Sequence, residues 1–219
     1  MSETDFGGRL DALMAIDPTA PAIEHDGVWH HWGALGAAVA AIDTTLLSAG
    51  IARHHRVGLL LRNRPPQLAA MLALFGSGRT LVVLNPMLAR ETLLADLAGL
   101  RLAVVIGEPA DLAGADLQRA LATAGCAVLS LAAGLHAPRI EAQARPDRRA
   151  GPDLAGPEHA DTAVEMLTSG TTGPPKRIPL SRRAFDAALD AALIYEKDRH
   201  PGEPPKLRPG VSLHVGPLA

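Results

Sequence analysis

The sequence predicts an α/β fold of mostly parallel strands flanked by helices, and three observations predict it. Short runs of Val, Leu and Ile recur at 56–61, 80–84, 102–106 and 126–131. Strands apolar at every position are covered on both faces, as parallel strands are. Between these runs lie stretches whose apolar residues repeat at helical spacing. Strand and helix in alternation give parallel pairing through right-handed crossovers. Finally, 219 residues at 47% hydrophobic and 20% charged are enough for a sizeable core.

Taken in order, residues 1–20 are polar and Pro-containing and read as an irregular lead-in. Residues 21–29 read as two short strands around Asp26-Gly27, a hairpin signal. From 32 to 48, Leu35, Val39, Ile42 and Leu46 lie on one helical face, and Gly50 closes that helix. The strand at 56–61 is broken by Asn63-Arg64-Pro65-Pro66, whose prolines can open a helix running to about Phe75. The strand at 80–84 stops at Asn85-Pro86. A helix near 90–97, a strand at 102–106, a helix around 115–124 and a strand at 126–131 follow. Residues 133–160 carry Pro138, Pro146, Pro152, Pro157 and several arginines, which suggests a surface segment or a boundary between lobes. This divides the chain into a first lobe at 1–150 and the start of a second at 151–219. A strand at 163–167 leads into a loop, Ser181 caps a helix at 182–193, residues 196–209 read as a charged linker, and 211–215 as a final strand.

The bulk numbers exclude some functions. A net charge of −2 provides no electrostatic case for nucleic acid or an anionic membrane, and an aromatic content of 3% provides no base-stacking platform. No apolar run reaches transmembrane length, so stable membrane insertion is not expected. Residues 1–10 lack a signal-type apolar core. The single cysteine, Cys126, lies in an apolar run and reads as a buried thiol. These features point to the cytoplasm.

The most informative stretch is Thr168-Ser169-Gly170-Thr171-Thr172-Gly173-Pro174-Pro175-Lys176, directly after the strand at 163–167. Gly170 and Gly173 can adopt φ > 0 and let backbone N–H groups approach an anion. Thr168, Ser169, Thr171 and Thr172 add hydroxyl donors, Lys176 adds a compact charge, and the prolines stiffen the segment before it. Only Lys176, Lys197 and Lys206 are lysines among 21 basic residues, so a lysine inside the loop suggests that a point charge is wanted there. The P-loop of nucleoside triphosphatases needs a Gly-Lys-Ser/Thr triplet. Here Lys176 stands between Pro175 and Arg177, so that reading fails.

This loop resembles the signature of the AMP-forming adenylating superfamily, which includes acyl-CoA synthetases, luciferases and peptide-synthetase adenylation domains. Residues 50–63, Leu84-Asn85-Pro86 and 211–219 resemble further blocks of that family. The resemblance covers roughly the first two-fifths of a usual member and implies an incomplete N-terminal domain of an adenylate-forming enzyme. It implies attack of a carboxylate on the α-phosphate of ATP, giving acyl-AMP and pyrophosphate, followed by transfer of the acyl group to CoA or another thiol. Thr168, Ser169, Gly170, Thr171, Thr172, Gly173 and Lys176 would contact the triphosphate, with Lys176 the residue assigned to catalysis and Mg²⁺ bridging phosphate oxygens. The later motifs of the family do not occur within these 219 residues, so the chain alone is not expected to complete the ligase reaction. A non-catalytic phosphate-binding or regulatory module is the alternative. A homodimer is compatible with either.

Two positions depart from the family pattern: Leu167 replaces an aromatic residue, and Arg177 replaces the glycine after the lysine. The guanidinium of Arg177 could tighten phosphate binding or point to solvent, and solvent is the expectation. His30-His31 and His54-His55 read as solvated or capping side chains, because adjacent residues on a strand face opposite ways. His214 reads as strand-borne, Asp186 and Asp190 as a solvated helix face, and Arg145, Arg148 and Arg149 as a solvated loop.

Overall fold

The structure, a computed structural model, describes residues 6–132, 134–135, 139–141, 161–168, 176–192, 206, 207, 210 and 212. The expected strand at 211–215 apart from residue 212, His214 and the Arg145–Arg148–Arg149 cluster fall outside them, as does the boundary drawn at residue 150. The chain opens with α1 (Phe6–Ala15), where the sequence reading expected irregular structure. Gly7 and Gly8 weaken its helical pattern, but Leu10 and Met14 are buried and Phe6 meets Phe75 edge-on at 5.6 Å. Packing overrides propensity here.

Strands β1 (Pro21–His25) and β2 (Val28–His31) form the expected hairpin. Asp26 and Gly27 both take positive φ, 52° and 79°, as a tight right-twisted turn requires. Helix α2 (Trp32–Ser48) ends as the sequence indicates. Gly50 has φ 77°, its N–H donates to Leu47 O, and the N–H of Ile51 donates to Leu46 O at 2.9 Å. That pair of bonds is a Schellman closure, with Ile51 and Leu46 both buried beneath it.

Five strands then run parallel: β3 (Arg56–Leu60), β4 (Thr80–Leu84), β5 (Val104–Gly107), β6 (Ala127–Ser130) and β8 (Thr162–Leu167). Two further strands, β7 (Arg139–Glu141) and β9 (Arg177–Ser181), pair antiparallel at the edges. The seven-stranded order is β7-β6-β5-β3-β4-β8-β9. Neither edge strand was expected. Pro179 argues against a central strand but is tolerated on an edge, which is where β9 lies.

This order explains the two cores. From β3 to β4 the chain steps one way across the sheet, then returns past β3 to β5 and on to β6. Right-handed crossovers therefore put α3 (Pro65–Gly76) on one face and α4 (Arg90–Ala98) and α6 (Ala115–Thr123) on the other. Leu35, Ile42, Leu46, Leu59, Leu74 and Leu81 fill the first face, and Leu60, Val82, Leu84, Leu93 and Leu117 the second. Gly58 sits where the sheet is tightest: a Cβ there would lie 2.8 Å from Leu102 Cδ1 and 3.0 Å from Val105 Cγ2. A short helix α5 (Pro109–Leu112) precedes α6, and α7 (Arg182–Ala192) follows β9. Ser181 caps α7 as expected, accepting from the N–H of Ala184 at 3.1 Å. Asp190 is more than a solvated carboxylate, because it pairs with Arg9 of α1 at 2.6 Å.

Cys126 is buried, and burial pushes its thiol up to about 12. Among the described residues no helix is long and apolar enough to cross a membrane.

Two buried polar features lead to predictions. Gln67 on α3 is fully buried, and among the described residues neither amide atom has a hydrogen-bond partner. Replacing an orphaned amide by an apolar group of similar size removes a desolvation penalty of about 1–3 kcal/mol. Gln67→Met is expected to raise the urea midpoint without changing the slope. His55 accepts from the N–H of Ala52 through Nδ1, and burial, then His54 and Arg79, hold its imidazole below the usual value. Its neutral form contributes stability that is present above about pH 6.5 and lost as pH falls through the depressed folded value. His55→Asn, which can keep the acceptor without titrating, should flatten that part of the stability profile, as read by denaturation at stepped pH.

Candidate functional site

The sequence motif is the turn of a hairpin. Strand β8 lies parallel to β4 and therefore ends at the carboxyl edge of the parallel strands, where open α/β sheets bind ligands. Strand β9 returns antiparallel to it, with Leu167 opposite Arg177. One step further, the N–H of Thr168 donates to Lys176 O at 2.8 Å, and the N–H of Lys176 donates to Thr168 Oγ1 at 3.0 Å. The structure thus brings Thr168 and Lys176 together as the closing pair of the loop. Ser169, Gly170, Thr171, Thr172 and Gly173 lie outside the described residues.

The two ends differ in what they can offer. Thr168 is half-buried and its hydroxyl oxygen accepts from the Lys176 N–H, so its hydroxyl proton remains available to donate. Lys176 is exposed and forms no ion pair with a described residue. The arginines beside it are already matched. Arg56 of β3 holds Glu165 of β8 through a two-pronged pair at 2.8 and 2.5 Å, both side chains largely buried. Arg177 pairs with Asp96 of α4 and donates to the carbonyls of Val83 and Glu165. The expectation that Arg177 points to solvent is therefore wrong. Asp96 is 81 residues away in sequence, and an outward reading had no means of supplying it. The glycine-to-arginine departure was the available signal.

Two features elsewhere bear on the placement. The crevice between β3 and β5, where the chain reverses its direction across the sheet, is bridged by Arg62 to Asp111 and Arg64 to Glu108, each at 2.6 Å. At the same edge a cavity of about 200 Å³ is lined by Leu60, Pro86, Arg90, Leu93 and Asp111. A cavity of about 410 Å³ lies among α1, α2 and α3, lined by Met14, Trp32, Asp43, Arg53 and Ser77. Arg53 and Ser77 precede β3 and β4, which puts that cavity at the opposite end of the strands from the loop. The Asn85-Pro86 turn has a local role, with Asn85 Oδ1 accepting from the N–H of Met87 at 2.8 Å.

The hydroxyl- and lysine-flanked hairpin thus stands at the carboxyl edge of a parallel sheet covered on both faces, the edge at which open α/β sheets bind ligands. The chain belongs to the AMP-binding enzyme family, whose model matches residues 11–218. It is 30% identical over 146 residues to an olefin β-lactone synthetase of Stenotrophomonas maltophilia, covering 66% of this chain and 26% of that protein. Among solved structures it resembles apo MatB from Rhodopseudomonas palustris, with TM-score 0.64, 23% identity, and 89% of this chain against 38% of that one. It also resembles the amide bond synthetase McbA from Marinactinospora thermotolerans, with TM-score 0.61, 28% identity, and 84% against 36%. The chain spans between a quarter and two-fifths of the length of these relatives.

The closing pair of the loop can be tested without a ligand. Thr168→Val keeps the shape but removes the acceptor for the Lys176 N–H. It should cost about 1 kcal/mol by urea denaturation, and Thr168→Ser should restore most of it.

Proposed function

We propose that this chain supplies the triphosphate grip of an enzyme that activates a carboxylic acid as an acyl-adenylate and passes the acyl group to a nucleophile. The observation that supports the reading is the hairpin closed by Thr168 and Lys176, which pairs a hydroxyl-bearing and an ammonium-bearing residue through their backbones. ATP, when bound, would supply the AMP that joins the carboxylate with release of pyrophosphate, and that AMP would leave when the nucleophile takes the acyl group. The chain's own residues need only position and neutralise charge, since such displacements require little covalent chemistry from the protein.

In this reading Lys176 places its ammonium against the β- and γ-phosphates, and Thr168 donates its hydroxyl proton to the same group. Ser169, Gly170, Thr171, Thr172 and Gly173 contribute hydroxyl and backbone N–H donors between them. This donor set suits an anion. Mg²⁺ would take its oxygen ligands chiefly from the phosphates. Among the described residues no group of three His, Cys, Asp or Glu side chains could hold it unaided.

Coenzyme A is the proposed acceptor, following the resemblance to acyl-CoA synthetases. The printed activities of the relatives differ at this step: one is a β-lactone synthetase and another an amide bond synthetase. A thiol acceptor is thus a finer proposal than acid activation. The division into lobes at 1–150 and 151–219 and a cytoplasmic location belong to the same proposal, the latter supported by the single buried cysteine.

Titration calorimetry with inorganic pyrophosphate and with Mg-ATP tests the grip on this chain directly. Lys176→Ala should weaken both by about ten- to hundredfold, the size of one lost charge-assisted hydrogen bond. Equal affinity in the variant would remove Lys176 from the site.

A further inference from the structure

The β4–β8 ladder ends at Val82 opposite Glu165. Beyond that point the strands part, and the carbonyls of Val83 and Glu165 need donors from elsewhere. Arg177 Nη1 reaches both, at 3.2 and 3.4 Å. The other edge of the same guanidinium is taken by Asp96, with Nε donating to Oδ1 at 3.1 Å and Nη2 to Oδ2. The two side chains are 15% and 13% exposed. A planar guanidinium gripping a carboxylate with two bonds has its orientation settled as well as its position. One side chain therefore ties β9 to β4, β8 and α4 immediately after Lys176.

We propose that Arg177 is a positioning residue: through Asp96 and the two carbonyls it sets where Lys176 is presented to the phosphates. This rests on the phosphate reading above. The backbone of Lys176 is held on one side by Thr168 and on the other by the anchored Arg177. Side chains alternate along a strand, so anchoring Arg177 toward α4 directs the ammonium of Lys176 the other way. Asp96 neutralises the guanidinium, so Arg177 acts by geometry and not as a second cation on the ligand. A glycine, the usual family residue here, could do none of this.

The two roles open to Arg177 predict opposite signs for one substitution. Were Arg177 a cation for the ligand, Asp96→Asn would release it and tighten anion binding. As a positioning residue, it loses its anchor when Asp96 is neutralised, and binding weakens. Titration calorimetry with pyrophosphate and Mg-ATP is run on the wild type, Asp96→Asn, Arg177→Ala, Arg177→Lys and the Asp96→Asn/Arg177→Ala double variant, with circular dichroism as the check on folding. Asp96→Asn and Arg177→Ala should each weaken binding by about tenfold. The double variant should be no weaker than either, as for two residues acting as one unit. Arg177→Lys should stay weak, since it keeps the charge and loses the fork. Tighter or unchanged binding in Asp96→Asn, or full rescue by Arg177→Lys, overturns the proposal. Asp96→Asn is nearly isosteric, so its sign decides the matter even where Arg177→Ala fails to fold. Wild-type chain that binds neither ligand overturns the phosphate reading and this proposal with it. Wild-type binding with unaltered variants overturns this proposal alone.

Discussion

The loop's placement depends on how β8 is held beside β4, and the ladder between them is short. Leu81 opposite Val164 and Val82 opposite Glu165 are its two paired positions. A central strand pair such as β3 and β4 has five. So short a ladder does little to orient the hairpin that β8 begins. The structure compensates with side chains. Thr80 donates to Thr162 O at 2.9 Å, Arg56 grips Glu165, and Arg182 donates to the carbonyls of Phe75 and Arg79. Arg177 with Asp96 completes the set.

These supports share a chemistry. Each is an arginine or hydroxyl reaching across elements to a carboxylate or to a backbone carbonyl. Arg79, fully buried, shows the pattern in its strongest form: it donates twice to Ile51 O, to Ser77 Oγ and to Asp43. A buried guanidinium is tolerated only when its donors are spent this completely. Arginine is suited to this because its planar fork reaches several acceptors at once, whereas lysine is a flexible point charge. The chain's three lysines against its many arginines make sense in that light. Arginines on β3, β9 and α7 build the frame, and Lys176 stays exposed.

The sequence by itself determined the regular part of this protein. Continuous apolar runs marked β3, β4, β5 and β6, Asp26-Gly27 marked the hairpin, Gly50 the end of α2, Ser181 the start of α7, and the Thr168 to Lys176 stretch the loop. Each depends on physics local to a few residues: a positive φ, a cap, a strand covered on both faces. Tertiary structure decided α1, the two edge strands and the role of Arg177. Helix α1 is built on two glycines and is held by Phe6, Leu10 and Met14 against residues more than sixty positions away in the case of Phe75. Strand β9 contains a proline and exists because β8 offers it an edge. Arg177 read as a solvated side chain until folding set Asp96 beside it. Local signals are written within a turn or a strand, whereas the partner that gives a long charged side chain its meaning arrives only when distant segments pack.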